Sequence, residues 1–178
     1  MTHRILSRKT VYTGHVFEVE KVHVALPNGR QRDYDLVVHG QAITIVPLAP
    51  NGDVLFVNQY RLGAEGDLLE LPAGMLEAGE DPLEGALREI REETGMAAGR
   101  MELLGSFFMG AGYCTEKLHA YIATDLTPSP LPQDADEFID LVRIPAAEAL
   151  EMARGGRLQD GKTIAALLMA EALLAYNL

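Results

Sequence analysis

Cysteine is nearly missing from this 178-residue chain, where Cys114 stands alone. A single thiol excludes an intrachain disulfide and any zinc cluster built on cysteines. It suits a reducing compartment, and the N-terminal MTHRILSRK has no apolar signal core, so a cytoplasmic location is expected. No apolar run reaches the ~18 residues needed to span a bilayer. The most apolar segment, Thr163 to Ala175, is broken by Glu171. Tryptophan is absent, so stacking on a planar ligand would fall to tyrosine or phenylalanine. Positive charge is scarce as well. The 15 Lys and Arg face 26 Asp and Glu, giving a formal net charge of −11. Such a field repels nucleic acid and anionic membrane, and neither is expected as a partner.

The hydrophobic fraction is 48%, which argues against disorder. The length allows one domain, or one domain with a small appendage, and a core that buries roughly 70% of the unfolded surface.

The acid is concentrated. Between residues 65 and 93 stand ten acids against two bases, Arg88 and Arg91, so this stretch holds −8 of the −11. A charge run alone usually marks a solvated helix face.

No repeat or low-complexity linker divides the chain. Polar and apolar residues alternate from His15 to Val24, then Pro27-Asn28-Gly29 signals a hairpin with Arg32 to Val38 as its return strand. Further strands are predicted at Ala42–Leu48, Val54–Tyr60, Met101–Phe108, Lys117–Ala123 and Ile139–Ile144. Asp81 to Thr94 is a strong helix, with Asp81 as N-cap, Pro82 at the first helical position, Glu84 three residues after the cap and Gly95 as a stop. Helices are also predicted at Pro145–Arg154 and Lys162–Tyr176. This mixture predicts α+β or mixed α/β, with helices covering a sheet.

On the first helix, Glu89, Glu92 and Glu93 have i, i+3, i+4 spacing, which places three carboxylates on one face. Like charges so placed cost a few tenths of a kcal/mol unless something neutralises them. A hard divalent cation does so, and oxygen ligands suit Mg²⁺ or Mn²⁺. Arg88 and Arg91 are the other available neutralisers.

The longer context narrows this. Residues 74 to 96 read GMLEAGEDPLEGALREIREETGM. The run resembles the Nudix box, with Gly74, Glu80, Arg88, Glu89, Ile90, Glu92, Glu93, Gly95 and Met96 at its nine constrained positions. The resemblance implies an α/β/α sandwich that hydrolyses a nucleoside diphosphate linked to another moiety, with Mg²⁺ or Mn²⁺. It also implies Glu89 and Glu93 as metal ligands and Glu92 on a second metal or a water. The carbonyl of Ala73 is a further implied ligand, Arg88 holds the glutamates, and Glu80 supports the helix start.

The flanks resemble the ADP-ribose pyrophosphatase branch along nearly the whole chain. They include LPNGR at 26–30, His39, Gln59-Tyr60-Arg61, Glu70-Leu71-Pro72-Ala73-Gly74, Gly110-Ala111-Gly112 with Glu116-Lys117, Asp134 to Asp140, and Asp160-Gly161-Lys162-Thr163. By this resemblance Arg61 contacts phosphate, Glu70 and Glu116 help hold the substrate, and Glu137 approaches the metals from a loop. Tyr34 and Gly112 belong to the expected substrate pocket. Residues 1–40 would form an N-terminal β-strand subdomain that pairs, domain-swapped, across a homodimer, and 41–178 the catalytic domain.

The chain departs from the branch at three places. Ala111 stands where a Pro is usual, Ala135 where a Glu often assigned as general base is usual, and Tyr34 where an Arg is frequent. Alanine moves no proton. The base would then be Glu92, Glu93, Asp136, Glu137 or a metal-bound hydroxide. The expected reaction is hydrolysis of ADP-ribose to AMP and ribose 5-phosphate. GDP-mannose, ADP-glucose or another such sugar nucleotide is the alternative, and a non-catalytic nucleotide-binding module the alternative of another class.

Gly156 to Thr163 also matches GxxxxGK[ST]. A phosphate loop needs a strand before it, whereas a helix-like segment precedes this one, so a helix-connecting loop is the expectation.

Overall fold

The computed structural model describes residues 2–132 and 138–176. They form two compact units, Met1–Gln41 with Phe108–Lys117, and Ala42–Phe107 with Leu118–Leu178.

The first unit is built on an antiparallel meander of β1 (Arg4–Thr13), β2 (Phe17–Ala25) and β3 (Gln31–His39). Its predicted hairpin forms where Gly29 takes φ 82°, a conformation glycine adopts without steric cost. The first strand was not legible in the sequence. Its pairing with β2 shifts register between Ile5 and Ser7 and again between Thr10 and Tyr12. Each such irregularity breaks the two-residue alternation that marks a strand. The 108–117 segment joins the meander through the Val37 amide, which donates to the Tyr113 carbonyl at 2.7 Å, and the Thr115 amide, which donates to the Val37 carbonyl at 3.0 Å.

The second unit begins with β4 (Ala42–Pro47), β5 (Asp53–Arg61), a 3₁₀ turn at Leu62–Ala64, β6 (Gly66–Glu70) and β7 (Ala73–Met75). After α1 (Pro82–Thr94) come β8 (Met96–Phe108), β9 (Lys117–Pro128), β10 (Asp140–Pro145), α2 (Ala146–Arg154) and α3 (Gly161–Tyr176). One sheet has the order β7-β4-β9-β8, with β4 parallel to β9 and antiparallel to β7. The other, β10-β5-β6, is antiparallel.

Every residue of β4 is buried, because both faces of its sheet are covered. Ile43 and Ile45 pack with Leu55, Tyr121 and the α1 residues Ala86 and Ile90. Val46 points the other way and packs with Phe56, Ile122, Leu150 of α2 and Leu167 and Leu174 of α3. Helix α1 therefore covers one side and α2 and α3 the other, which is the predicted α/β/α sandwich. Leu167 and Leu174 of α3 are core, while Leu168 and Leu173 are exposed. Among the described residues no helix is long and apolar enough to cross a membrane.

Strands β6 and β7 were also missed. They are short, lie in the acidic stretch, and are separated by Leu71-Pro72, where proline donates no hydrogen bond.

Candidate active site

Helix α1 starts as its sequence dictates. The Asp81 carboxylate accepts from the Leu83 amide at 2.9 Å, Pro82 occupies the first turn, and Gly95 ends the helix at φ 70°. The 3.6-residue repeat then buries Ala86 and Ile90 in the core. It also brings Glu89 against Gly74 and Glu93 to the Ala73 amide of the Ala73–Met75 strand.

Arg88 organises this acid. Its Nε and Nη2 donate to the two Glu80 oxygens at 3.0 Å each, and Nη1 donates to Glu89 at 2.7 Å and to Glu92 at 2.8 Å. A fifth contact runs from Nη2 to the Met75 carbonyl at 3.3 Å. The guanidinium is held well above its ordinary pKa, first by the bonds to Glu80, then by Glu89 and Glu92, against the opposing effect of partial burial. Reciprocally, Arg88 holds the Glu80 carboxyl below the usual range. Glu80 further accepts from the Glu77 amide at 2.9 Å, tying the loop before α1 to the helix.

Glu93 is only 3% exposed and accepts from the Ala73 amide at 3.0 Å. Glu89 lies against Gly74 so closely that a Cβ there would stand 2.0 Å from Glu89 Oε1. Gly74 is therefore required for the close approach of a carboxylate to the β7 backbone, whatever its φ.

The donor set is made of carboxylates and backbone oxygen, which is what a hard divalent cation binds. The Gly74 cradle admits one of these carboxylates where any side chain would fill the space. The residues fit such an ion in chemistry. Among the described residues no three Asp, Glu, His or Cys side chains already surround a common point, and Arg88 holds Glu89 and Glu92.

A second charged cluster adjoins. Glu70, 1% exposed, receives Arg61 Nε at 2.8 Å and Nη2 at 2.7 Å, and also Lys162 Nζ. Lys162 bonds Asp160 at 3.0 Å, so two cations and two anions neutralise one another. The Glu70 bonds, Glu93 and Asp160 all raise the pKa of Arg61, which burial alone would lower. The Asp160 carboxylate accepts from the Thr163 amide at 3.0 Å and its hydroxyl at 2.6 Å, capping α3. The phosphate-loop match thus resolves as expected into a connection from α2 to α3, with Lys162 occupied by carboxylates.

The structure brings Arg61, Glu70, Ala73, Arg88, Glu89, Glu92 and Glu93 into the second unit. Tyr34, Gly112 and Glu116 belong to the first. There Tyr34 and Gly112 line one cavity of about 430 Å³, with Ile5, Arg8, Val22 and Leu36. Arg32 stands 5.4 Å from the Tyr34 ring centroid, and Glu116 lies 4.0 Å from His39 Nδ1. Glu137, with Ala135 and Asp136, lies outside the described residues. The sequence reading gave Lys162, Asp160 and Thr163 no role. The available signal was a lysine opening a helix whose one other charged residue is Glu171, and such a lysine needs a counter-ion if it is not solvated.

The site thus has three glutamates on one helix of a layered α/β fold, two of them held by Arg88, beside the Gly74 cradle. The NUDIX domain profile matches residues 38–167, and the chain belongs to that family. It is 35% identical over 166 residues to the methanol dehydrogenase activator of Bacillus methanolicus, covering 92% of this chain and 90% of that one. It is 30% identical to the ADP-ribose pyrophosphatase of Bacillus subtilis (strain 168), covering 98% and 97%. A crystal structure of an ADP compounds hydrolase superposes with a TM-score of 0.88 at 27% identity, covering 99% of this chain and 96% of that one.

Proposed function

We propose that the protein hydrolyses the pyrophosphate bond of a nucleoside diphosphate sugar, with ADP-ribose yielding AMP and ribose 5-phosphate as the leading case. The observation that carries this is the arrangement of Glu89, Glu92 and Glu93 along α1 beside the Gly74 backbone. Kinship to pyrophosphatases and to an ADP compounds hydrolase over nearly the whole chain supports the substrate class.

Glu89, Glu92, Glu93 and the Ala73 carbonyl would hold Mg²⁺ or Mn²⁺. Such an ion, when bound, reverses the sign of the site, polarises phosphate oxygens and acidifies a water. Arg88 keeps the like charges of Glu80, Glu89 and Glu92 together. Glu92 or Glu93 would take the proton of the attacking water, with Glu137 as a further candidate. Arg61 has donors beyond the two given to Glu70 and would use them on a phosphate oxygen, so Glu70 acts on substrate through Arg61. Tyr34, Gly112 and Glu116 are the candidate substrate-binding residues of the first unit.

The protein would act in the cytoplasm as a homodimer. The exposed apolar residues Ile5, Val11, Tyr12 and Phe17 of the meander support the second point.

A panel of ADP-ribose, GDP-mannose, ADP-glucose, NADH and diadenosine polyphosphates, each with Mg²⁺ and with Mn²⁺, tests the reading. ADP-ribose should be cleaved to AMP and ribose 5-phosphate. Glu93→Gln, which keeps an acceptor for the Ala73 amide but not the charge, should abolish turnover while the circular dichroism spectrum stays native. Unchanged turnover in E93Q would refute the ligand assignment, and no cleavage of any sugar nucleotide would refute the function.

A further inference from the structure

The Asp160–Thr163 run opens α3 and lies outside the box, yet it grips the strand segment that the box depends on. Four successive residues leading into the box, Glu70 to Ala73, are tied between them to β5, α3, β4 and α1. The Glu70 carboxylate is held by Arg61 of β5 and Lys162 of α3. The Leu71 amide donates to the Thr163 hydroxyl at 2.8 Å. The Pro72 carbonyl accepts from the Ile45 amide at 2.9 Å and the Thr44 hydroxyl at 3.2 Å. The Ala73 amide donates to Glu93. Thr163 is fully buried, and its hydroxyl is used twice, as acceptor for Leu71 and donor to Asp160. That double use fixes the hydroxyl proton on the Asp160 side and leaves a lone pair for Leu71.

We propose that Thr163, oriented by Asp160, is a positioning residue for the divalent-metal site: it sets the backbone of Leu71–Ala73 and so the places of the Ala73 carbonyl and the Glu93 carboxylate. The proposal rests on the metal-site reading above. Its physical basis is that Leu71 stands only two residues before Ala73, and a buried amide that loses its acceptor must shift to find another. Partners bonded directly to metal ligands are worth about 10–100-fold in metal affinity or activity, and Thr163, acting through the Leu71 backbone, should fall at the low end.

Thr163→Val keeps the shape and removes the hydroxyl, while Thr163→Ser keeps the hydroxyl. Mn²⁺ binding to each protein, read by electron paramagnetic resonance without substrate, separates positioning from folding. T163V should bind Mn²⁺ about 10-fold or more weakly and lose kcat with little change in KM, and T163S should restore both. If T163V is folded and binds Mn²⁺ as the wild type does, the proposal is overturned. So it is if T163S fails to rescue a variant that lost binding. Should T163V not fold, a Mg²⁺ titration of ¹⁵N-labelled wild-type protein decides. The Leu71 and Thr163 amide resonances should move with the same midpoint as Ala73, and their standing still would overturn the proposal. A wild type that binds Mn²⁺ but cleaves no sugar nucleotide would refute the function while the binding data still decide the role of Thr163.

Discussion

Gly74→Ala adds one methyl group at the most crowded point of the site. The new Cβ would stand 2.0 Å from Glu89 Oε1, 2.1 Å from its Cδ and 2.6 Å from Oε2. A van der Waals contact needs about 3.5 Å, so the carboxylate must retreat by about 1.5 Å. The neighbour is the end of a flexible side chain, so the fold can give way there. Replacing glycine in a strand gains about 0.5–1 kcal/mol from chain entropy. Weakening the Arg88–Glu89 pair, at 27% and 12% side-chain exposure, loses a similar amount, about 0.5–1 kcal/mol. The two offset, and Tm should move by less than about 4 °C. Catalysis should not be spared, because misplacing a working group by about 1 Å can cost about 100-fold. Coupled phosphate release from ADP-ribose, measured beside Mn²⁺ binding and thermal melting, checks this. Wild-type turnover in G74A would refute the role given to Glu89. A collapse of Tm would refute the view that the glycine serves the site and not the fold.

Two further outcomes follow from the ion pairs. Lys162→Met leaves the buried Glu70 with Arg61 alone and Asp160 without its cation, and should destabilise by about 3 kcal/mol in urea unfolding; a loss below about 1 kcal/mol would show that solvent screens the cluster. Arg88 holds the folded-state pKa of Glu80 below its ordinary 4.5, so this pair contributes stability above that value and loses it as pH falls through the lowered one. Glu80→Gln should therefore flatten the acid limb of Tm against pH, and an unchanged limb would show that Glu80 does not contribute to it.

The site was legible where chemistry follows local spacing. Glu92 and Glu93 follow Glu89 by one helical turn, Arg88 reaches Glu92 four residues on, and Asp81, Pro82 and Gly95 bound the helix as their types dictate. The sandwich was legible because β4, β5 and β9 carry dense apolar runs and α1 has one apolar stripe. Strand β1 was not, since two register shifts erase its alternation. The pairing of Glu70 with Lys162 was not either, because no periodicity links residues 92 positions apart. The return of 108–117 to the N-terminal meander is likewise a matter of backbone bonds, Val37 with Tyr113 and Thr115, that leave no pattern in side-chain type.

That 92-residue span has a consequence for how the protein is made. Arg88 meets Glu80, Glu89 and Glu92 within eight residues, so these contacts can close as soon as α1 exists. Leu71 and Glu70 must wait for Thr163 and Lys162, across a loop whose closure entropy is paid late. A ribosome that has delivered the whole Nudix box has therefore delivered its arginine fork but not the anchor of the strand beneath it. The nascent chain passes through synthesis with the signature complete and Glu70 one cation short until α3 emerges.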